Sequence, residues 1–217
     1  MILTAVVLAA ASGRAAAQAA PRLVRGDASA TIAWLSANTH PTGAAVPYDR
    51  GNWASSLFGA ASAGWYWTDN VKTEMDFGAG TNAHGYHTGQ VTIDGHLGYV
   101  STATRFSRRT LGISQQYQFL HNAWFHPHVA AGVNLTWERR TDNVAPIFVF
   151  DDVMRTSRVV APAHIDGPRT SFTARPFVAA GFKAYMTPRT FFRNDLRVAF
   201  RGGPDETTLR FGFGFDF

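Results

Sequence analysis

The chain has 217 residues, enough for one domain with a sizeable interior, and its 46% hydrophobic content includes 13% Phe, Trp and Tyr. Lys and Arg outnumber Asp and Glu 20 to 15, but the arginines are spread among acids rather than gathered in a basic run, so no nucleic-acid partner is expected. Cysteine is absent, which excludes disulfides and thiolate metal sites, and beyond the extreme N terminus no apolar run is long enough for a membrane-spanning helix.

Met1 to Ala11 is short and apolar, and Ser12-Gly-Arg-Ala-Ala-Ala17 follows it, so residues 1–17 are expected to be a secretory leader and 18–217 one domain. Eight strand candidates follow, each about the length a tilted transmembrane strand needs. The first, Ala28 to Asn38, sets Ala30, Ile32 and Trp34 on one face, and the second, Ala54 to Thr68, aligns Leu57, Ala61, Ala63, Trp65 and Trp67. Thr68-Asp69-Asn70 supplies a tight turn. The third strand, Val71 to Gly80, alternates Val71, Thr73, Met75 and Phe77 against Lys72, Glu74 and Asp76.

Thr81 to Thr104 is Gly- and His-rich and carries a hairpin signal at Asp94-Gly95, an extension of the wall above a membrane. The fourth strand, Arg105 to Leu120, opposes Ile113, Tyr117 and Phe119 to Ser114, Gln116 and Gln118. The fifth, Phe125 to Glu138, sets Val129, Val133 and Trp137 against His126, His128, Asn134 and Glu138. Arg139 to Arg169 is expected to be the longest loop, with Pro146, Pro162 and Pro168 and an embedded Ile147-Phe-Val-Phe150. Thr170 to Tyr185, Thr190 to Arg201 and Thr207 to Phe217 complete the set. The last alternates without a miss, Leu209, Phe211, Phe213, Phe215 and Phe217 against Arg210, Gly212, Gly214 and Asp216.

Connections alternate long and short, which places both termini on the periplasmic side and the segments around 39–53, 82–104, 139–169 and 202–206 outside. The Phe-x-Phe-x-Phe ending, the repeated Pro127-His-Val-Ala-Ala-Gly132 and Pro176-Phe-Val-Ala-Ala-Gly181, and this alternation resemble the small eight-stranded outer-membrane β-barrels, the OmpA transmembrane-domain, OmpX and OmpW-like group. The resemblance implies an all-β, closed, antiparallel, up-and-down transmembrane barrel in the bacterial outer membrane. It also implies that Phe213, Phe215 and Phe217 serve as the signal read by the barrel assembly machinery, and that lipid and lipopolysaccharide are the surroundings of a monomer. A soluble lipocalin-like barrel would need polar outward faces, which these strands lack.

In such a barrel the charged phase of each strand faces inward. Lys72, Glu74, Asp76, Glu138, Arg175, Lys183, Arg193, Asp195, Arg197, Arg201 and Arg210 are expected to form an ion-pair network that fills the lumen. Inward small residues, including Ala60, Gly64, Gly78, Gly132, Ala179, Gly181, Gly212 and Gly214, leave room for it. Trp65, Trp67, Trp124 and Trp137 are expected in aromatic girdles. His126 and His128 share a strand face and are weak metal candidates; filling the lumen is the preferred reading, and no cofactor is expected. Some small barrels modify lipid A with Ser and His, but no His here is followed two positions later by Ser, the motif of the deacylase family. The expected function is therefore structural or interactive: display of outer loops, adhesion or envelope integrity without catalysis. Narrow transport of small or apolar solutes is the alternative, and lipid A modification the third reading.

Overall fold

A computed structural model describes residues 25–38, 53–93, 95–120, 124–151 and 155–217. The leader expected over residues 1–17 and the outward segment 39–52 lie outside them. The elements are β1 (Gly26–Asn38), β2 (Trp53–Tyr66), β3 (Val71–Ile93), β4 (His96–Gln118), β5 (Phe125–Val144), β6 (Ile147–Asp151), β7 (Thr156–Ala161), β8 (His164–Tyr185), β9 (Thr190–Phe200) and β10 (Pro204–Asp216). Pairing runs β3-β2-β1-β10-β9-β8-β5-β4, and β4 pairs back to β3, so eight strands close a ring. The seam joins the two chain ends, with Ala28 opposite Phe215 and Trp34 opposite Leu209.

β6 and β7 are continuations of the wall rather than extra staves. β5 and β6 both pair with β4, interrupted at Ala145-Pro146, where the Ala145 amide still bonds the Ser101 carbonyl at 2.8 Å. β7 pairs with β6 as β8 pairs with β5, interrupted at Pro162-Ala163. Proline donates no ladder hydrogen bond, so a strand breaks or bulges there and then resumes. The up-and-down order expected from the sequence is therefore retained.

Residues 82–104 extend the wall as the hairpin signal led one to expect, whereas the longest loop expected, 139–169, is corrected: it is largely strand, because inter-strand pairing does not stop where the membrane does. β3 and β4 form one hairpin, from Val71 opposite Tyr117 to Ile93 opposite His96, turned at Gly95 with φ +79°, a conformation that favours glycine. β3 and β4 have 23 residues each, β5 has 20 and β8 has 22, against 13, 14, 11 and 13 for β1, β2, β9 and β10. One side of the barrel thus stands about 30 Å taller along its strands, at about 3.3 Å per residue.

Alternation sorts the side chains. Ile32, Leu57, Met75, Phe77, Ile113, Val129, Val133, Val178, Leu196, Phe211 and Phe213 are exposed on the outside, an apolar exterior that suits lipid and would not suit water. Asp27, Lys72, Glu74, Lys183 and Asp195 are buried inside. Not every Phe faces lipid: Phe58, Phe106, Phe177 and Phe191 are buried on the lumen side. Gly78 allows this for Phe58: a Cβ there would lie 2.5 Å from the Phe58 Cζ and 2.8 Å from the Thr110 hydroxyl. At Gly112 a Cβ would lie 2.8 Å from the Asp76 carboxyl carbon and 2.9 Å from the Asn134 amide oxygen. Gly112→Val should therefore lower stability by about 1–3 kcal/mol through overpacking; urea unfolding followed by heat-modifiable gel mobility checks it, and an unchanged midpoint would contradict the packing described.

Candidate functional site

The lumen is built in layers. At the end of the barrel where β1 begins and β10 ends, Asp27 near the start of β1 accepts from Lys72 Nζ at 2.7 Å, from the Tyr66 hydroxyl at 3.0 Å and from Lys183 Nζ. Lys183 also donates to the Tyr66 hydroxyl at 2.8 Å, and Tyr185 donates to Asp216 at 2.5 Å. These residues meet because β1, β2, β3, β8 and β10 each direct an inward position to the same level, although they are far apart in the chain.

The next layer is a chain of alternating charges. Glu74 pairs with Lys72 at 2.7 Å and with Arg193 at 2.6 Å, and Arg193 pairs with Asp195 at 2.8 Å. Asp195 pairs with Arg210 at 2.6 Å, Arg210 with Asp76 at 3.4 Å, and Asp76 with Arg197 at 2.9 Å. Arg197 also donates to the Asn134 side-chain oxygen at 2.8 Å. Across these two layers the cations Lys72, Lys183, Arg193, Arg197 and Arg210 face the carboxylates of Asp27, Glu74, Asp76, Asp195 and Asp216. Opposite charges in equal number, held in low dielectric, make a packed core rather than an anion-selective constriction.

Above the charges the lumen turns apolar. The Arg197 guanidinium lies 3.8 Å from the centre of the Phe177 ring, and Phe177 packs with Ala179 and Ala199. Ala33, Phe58 and Ala60 form a second apolar cluster on the facing strands. Beyond them stands an outer charged layer, in which Arg108 binds Glu206 at 2.5 Å and Glu138 at 2.8 Å, while Arg175 binds Asp205 at 3.2 Å and Glu206 at 3.1 Å.

Of the residues expected in the lumen network, Lys72, Glu74, Asp76, Arg175, Lys183, Arg193, Asp195, Arg197 and Arg210 are buried there, and Glu138 lies half-buried at its outer end. Arg201 does not belong to it. β9 ends at Phe200, and Arg201 sits exposed in the turn to β10, where inside-outside alternation has already ceased. Asp27, Arg108, Asp205, Glu206 and Asp216 are additional members. Asp216 and Arg108 lie on the inward phase of their strands and are legible by alternation, whereas Asp27 precedes the expected first strand and Asp205 and Glu206 precede the expected last one.

Trp65, Trp67 and Trp124 lie exposed toward the end of the barrel that carries the start of β1, and Trp67 Nε1 donates to the Thr73 hydroxyl at 2.7 Å. Trp137 lies on the outside of β5 nearer the other end and packs against Phe172, ring centres 5.2 Å apart and planes tilted by 46°. It is not at a strand end, because β5 continues to Val144. Phe213, Phe215 and Phe217 all face outward. His126 and His128 both lie on the inner side of β5: His126 Nδ1 is 3.2 Å from the Gln118 side-chain oxygen, and His128 is buried beside it. Among the described residues no group of three His, Asp or Glu side chains is disposed to hold a metal ion.

The ring closure, the apolar exterior and the charged interior together decide the architecture. Its fold is that of the small outer-membrane β-barrels. Neisserial surface protein A superposes with a TM-score of 0.52 at 15% identity, covering 88% of this chain and 97% of that one. The outer membrane protein OprG of Pseudomonas aeruginosa gives 0.52 at 13% identity, covering 88% and 95%. No family model and no curated relative matches the sequence. An apolar exterior on a closed barrel is what a lipid bilayer requires of spanning strands.

Removing one charge from the inner chain leaves its partners buried and uncompensated. Glu74→Ala strips a carboxylate from Lys72 and Arg193 and should cost about 3–5 kcal/mol. Paired replacement, Glu74→Leu with Arg193→Met, should cost clearly less than the sum of the single changes. Urea midpoints of the refolded proteins check both, and additive losses would show that the pair does not act as a unit.

Proposed function

We propose that this protein is a closed membrane anchor that displays a β-sheet on the outer surface, with a structural or adhesive role and no catalysis. The observation that carries the reading is the contrast between a lumen shut by stacked charged and apolar layers and a wall that stands tall on one side only. The tall sheet exposes Tyr86 at 73%, Tyr99 at 57% and Phe148 at 49% of their surfaces, and Tyr99 lies directly opposite Phe148 in the pairing. Aromatic side chains outside the lipid zone are contact surface for a partner, because they bring large area at low entropic cost. The outward Phe213 and Phe215 on β10, with Phe217 directly after it, suit recognition by the barrel assembly machinery, and lipid and lipopolysaccharide are the surroundings of the anchor, which we take to act as a monomer.

Two measurements test this. Single-channel recording of the refolded protein in a planar bilayer should show no conductance steps in the natural chain or in Arg197→Ala. Reproducible steps that change in the variant would overturn the closed-lumen reading in favour of narrow transport. Binding to host or envelope surfaces should fall about tenfold in Tyr99→Ser with Phe148→Ser, the loss expected of two aromatic anchors; unchanged binding would remove the tall sheet from the function.

A further inference from the structure

The outer face of the tall wall carries a basic cluster that the lumen does not use. Strand register places Ala79, Arg109, Trp137 and Phe172 in one row across β3, β4, β5 and β8. The next outward-facing row brings Ser107, Arg139 and Thr170 together, and the one beyond it His84, Arg105 and Thr141. Arg139 is thus the diagonal neighbour of both Arg105 and Arg109, at about 7–8 Å between backbones, within reach of long side chains. All three arginines and His84 are exposed.

Two features separate this cluster from an ordinary solvated face. Among the described residues no carboxylate pairs with Arg105, Arg109 or Arg139, although Arg108 and Arg140 on the opposite face of the same strands, and Arg175 on the inner face of β8, are all paired. The acids nearest in sequence, Glu138 and Asp142, alternate to the inner face, where Arg108 holds the first at 2.8 Å and Thr104 and Arg140 hold the second at 2.6 and 2.9 Å. The cluster also begins at the row of Trp137 and Phe172, whose packed rings are exposed on the outside, and runs outward from it. That is the level at which hydrocarbon gives way to headgroups.

We propose that Arg105, Arg109 and Arg139 form a binding site for the phosphates of an outer-leaflet lipid A molecule, with His84 at its outer border. A guanidinium matches phosphate geometry with two parallel hydrogen bonds, and three of them without a competing carboxylate fit a headgroup bearing two phosphates. Acyl chains of the same molecule would lie along the apolar wall below Trp137. The site rests on the placement in the outer membrane and is independent of whether the lumen conducts.

The test is titration of the refolded full chain in detergent micelles with lipid A carrying both phosphates, and with its monophosphoryl form, read by native mass spectrometry. R105Q/R109Q/R139Q should lose affinity for bisphosphoryl lipid A by about tenfold or more, as expected when several cations are removed from a headgroup surface. R155Q/R158Q/R201Q removes the same charge from exposed positions elsewhere and should lose less than about twofold. The difference between the two triple variants should shrink with the monophosphoryl form. Heat-modifiable mobility shows whether each variant has folded, and the three single changes give the same comparison should the triple one not refold. Equal losses in both triple variants, no loss in either, or displacement of lipid A by millimolar inorganic phosphate would overturn the proposal.

Discussion

The constraint on which everything else depends is that lipid offers no hydrogen bonds. Every backbone amide and carbonyl within the membrane must find its partner in the protein, and a sheet can meet that demand only by having no edge. The pairing of β1 with β10 meets it by joining the two ends of the described chain, Gly26 and Phe217 included, whose backbone groups bond each other at 3.1 and 2.9 Å. Once the ring is closed, strand alternation has only two destinations, lipid and lumen, and the side chains follow from that.

Closure on eight strands leaves a narrow interior that has to be filled. A chain that filled it with apolar groups on both faces would have little to distinguish inside from outside during assembly. Here the inside is marked by charge, and the charge is neutralised locally: Glu74 is shared between Lys72 and Arg193, Asp195 between Arg193 and Arg210, and Asp76 between Arg210 and Arg197. Buried ion pairs contribute little net stability over apolar packing, but removing one partner is costly, so such a network specifies register more than it strengthens the fold. The apolar layer around Phe58 and Phe177 interrupts it and separates the inner charges from Arg108 and Arg175.

The asymmetry of the wall has a different origin. β1, β2, β9 and β10 are short, whereas β3, β4, β5 and β8 continue outward, their pairing shifting register between Gly80 and Ala83 and between Arg140 and Asp142 and then resuming. Outside the hydrocarbon the backbone is free to end its pairing, so the additional length is not demanded by the membrane. The same strands carry charges on opposite faces for opposite purposes: Arg108 and Arg140 are paired within, while Arg105, Arg109 and Arg139 point outward at the headgroup level.

By itself the sequence determined the strand class, the up-and-down order, the phase of nearly every strand and hence which charges turn inward, because a period of two is a local property that needs no partner to be seen. Lys72, Glu74, Asp76, Arg193, Asp195 and Arg197 were legible in that way. Only the tertiary structure decided what the pattern leaves open. Arg201 lies one residue past the end of β9, where alternation no longer speaks for its direction. Pro146 and Pro162 suggest a loop locally, yet the ladder resumes beyond both, since pairing with a neighbouring strand outweighs a single missing donor. Which cation meets which carboxylate, and that three arginines on β4 and β5 stand side by side outside Trp137, are matters of register between strands. Register is a relation between distant segments, and no single stretch of the chain contains it.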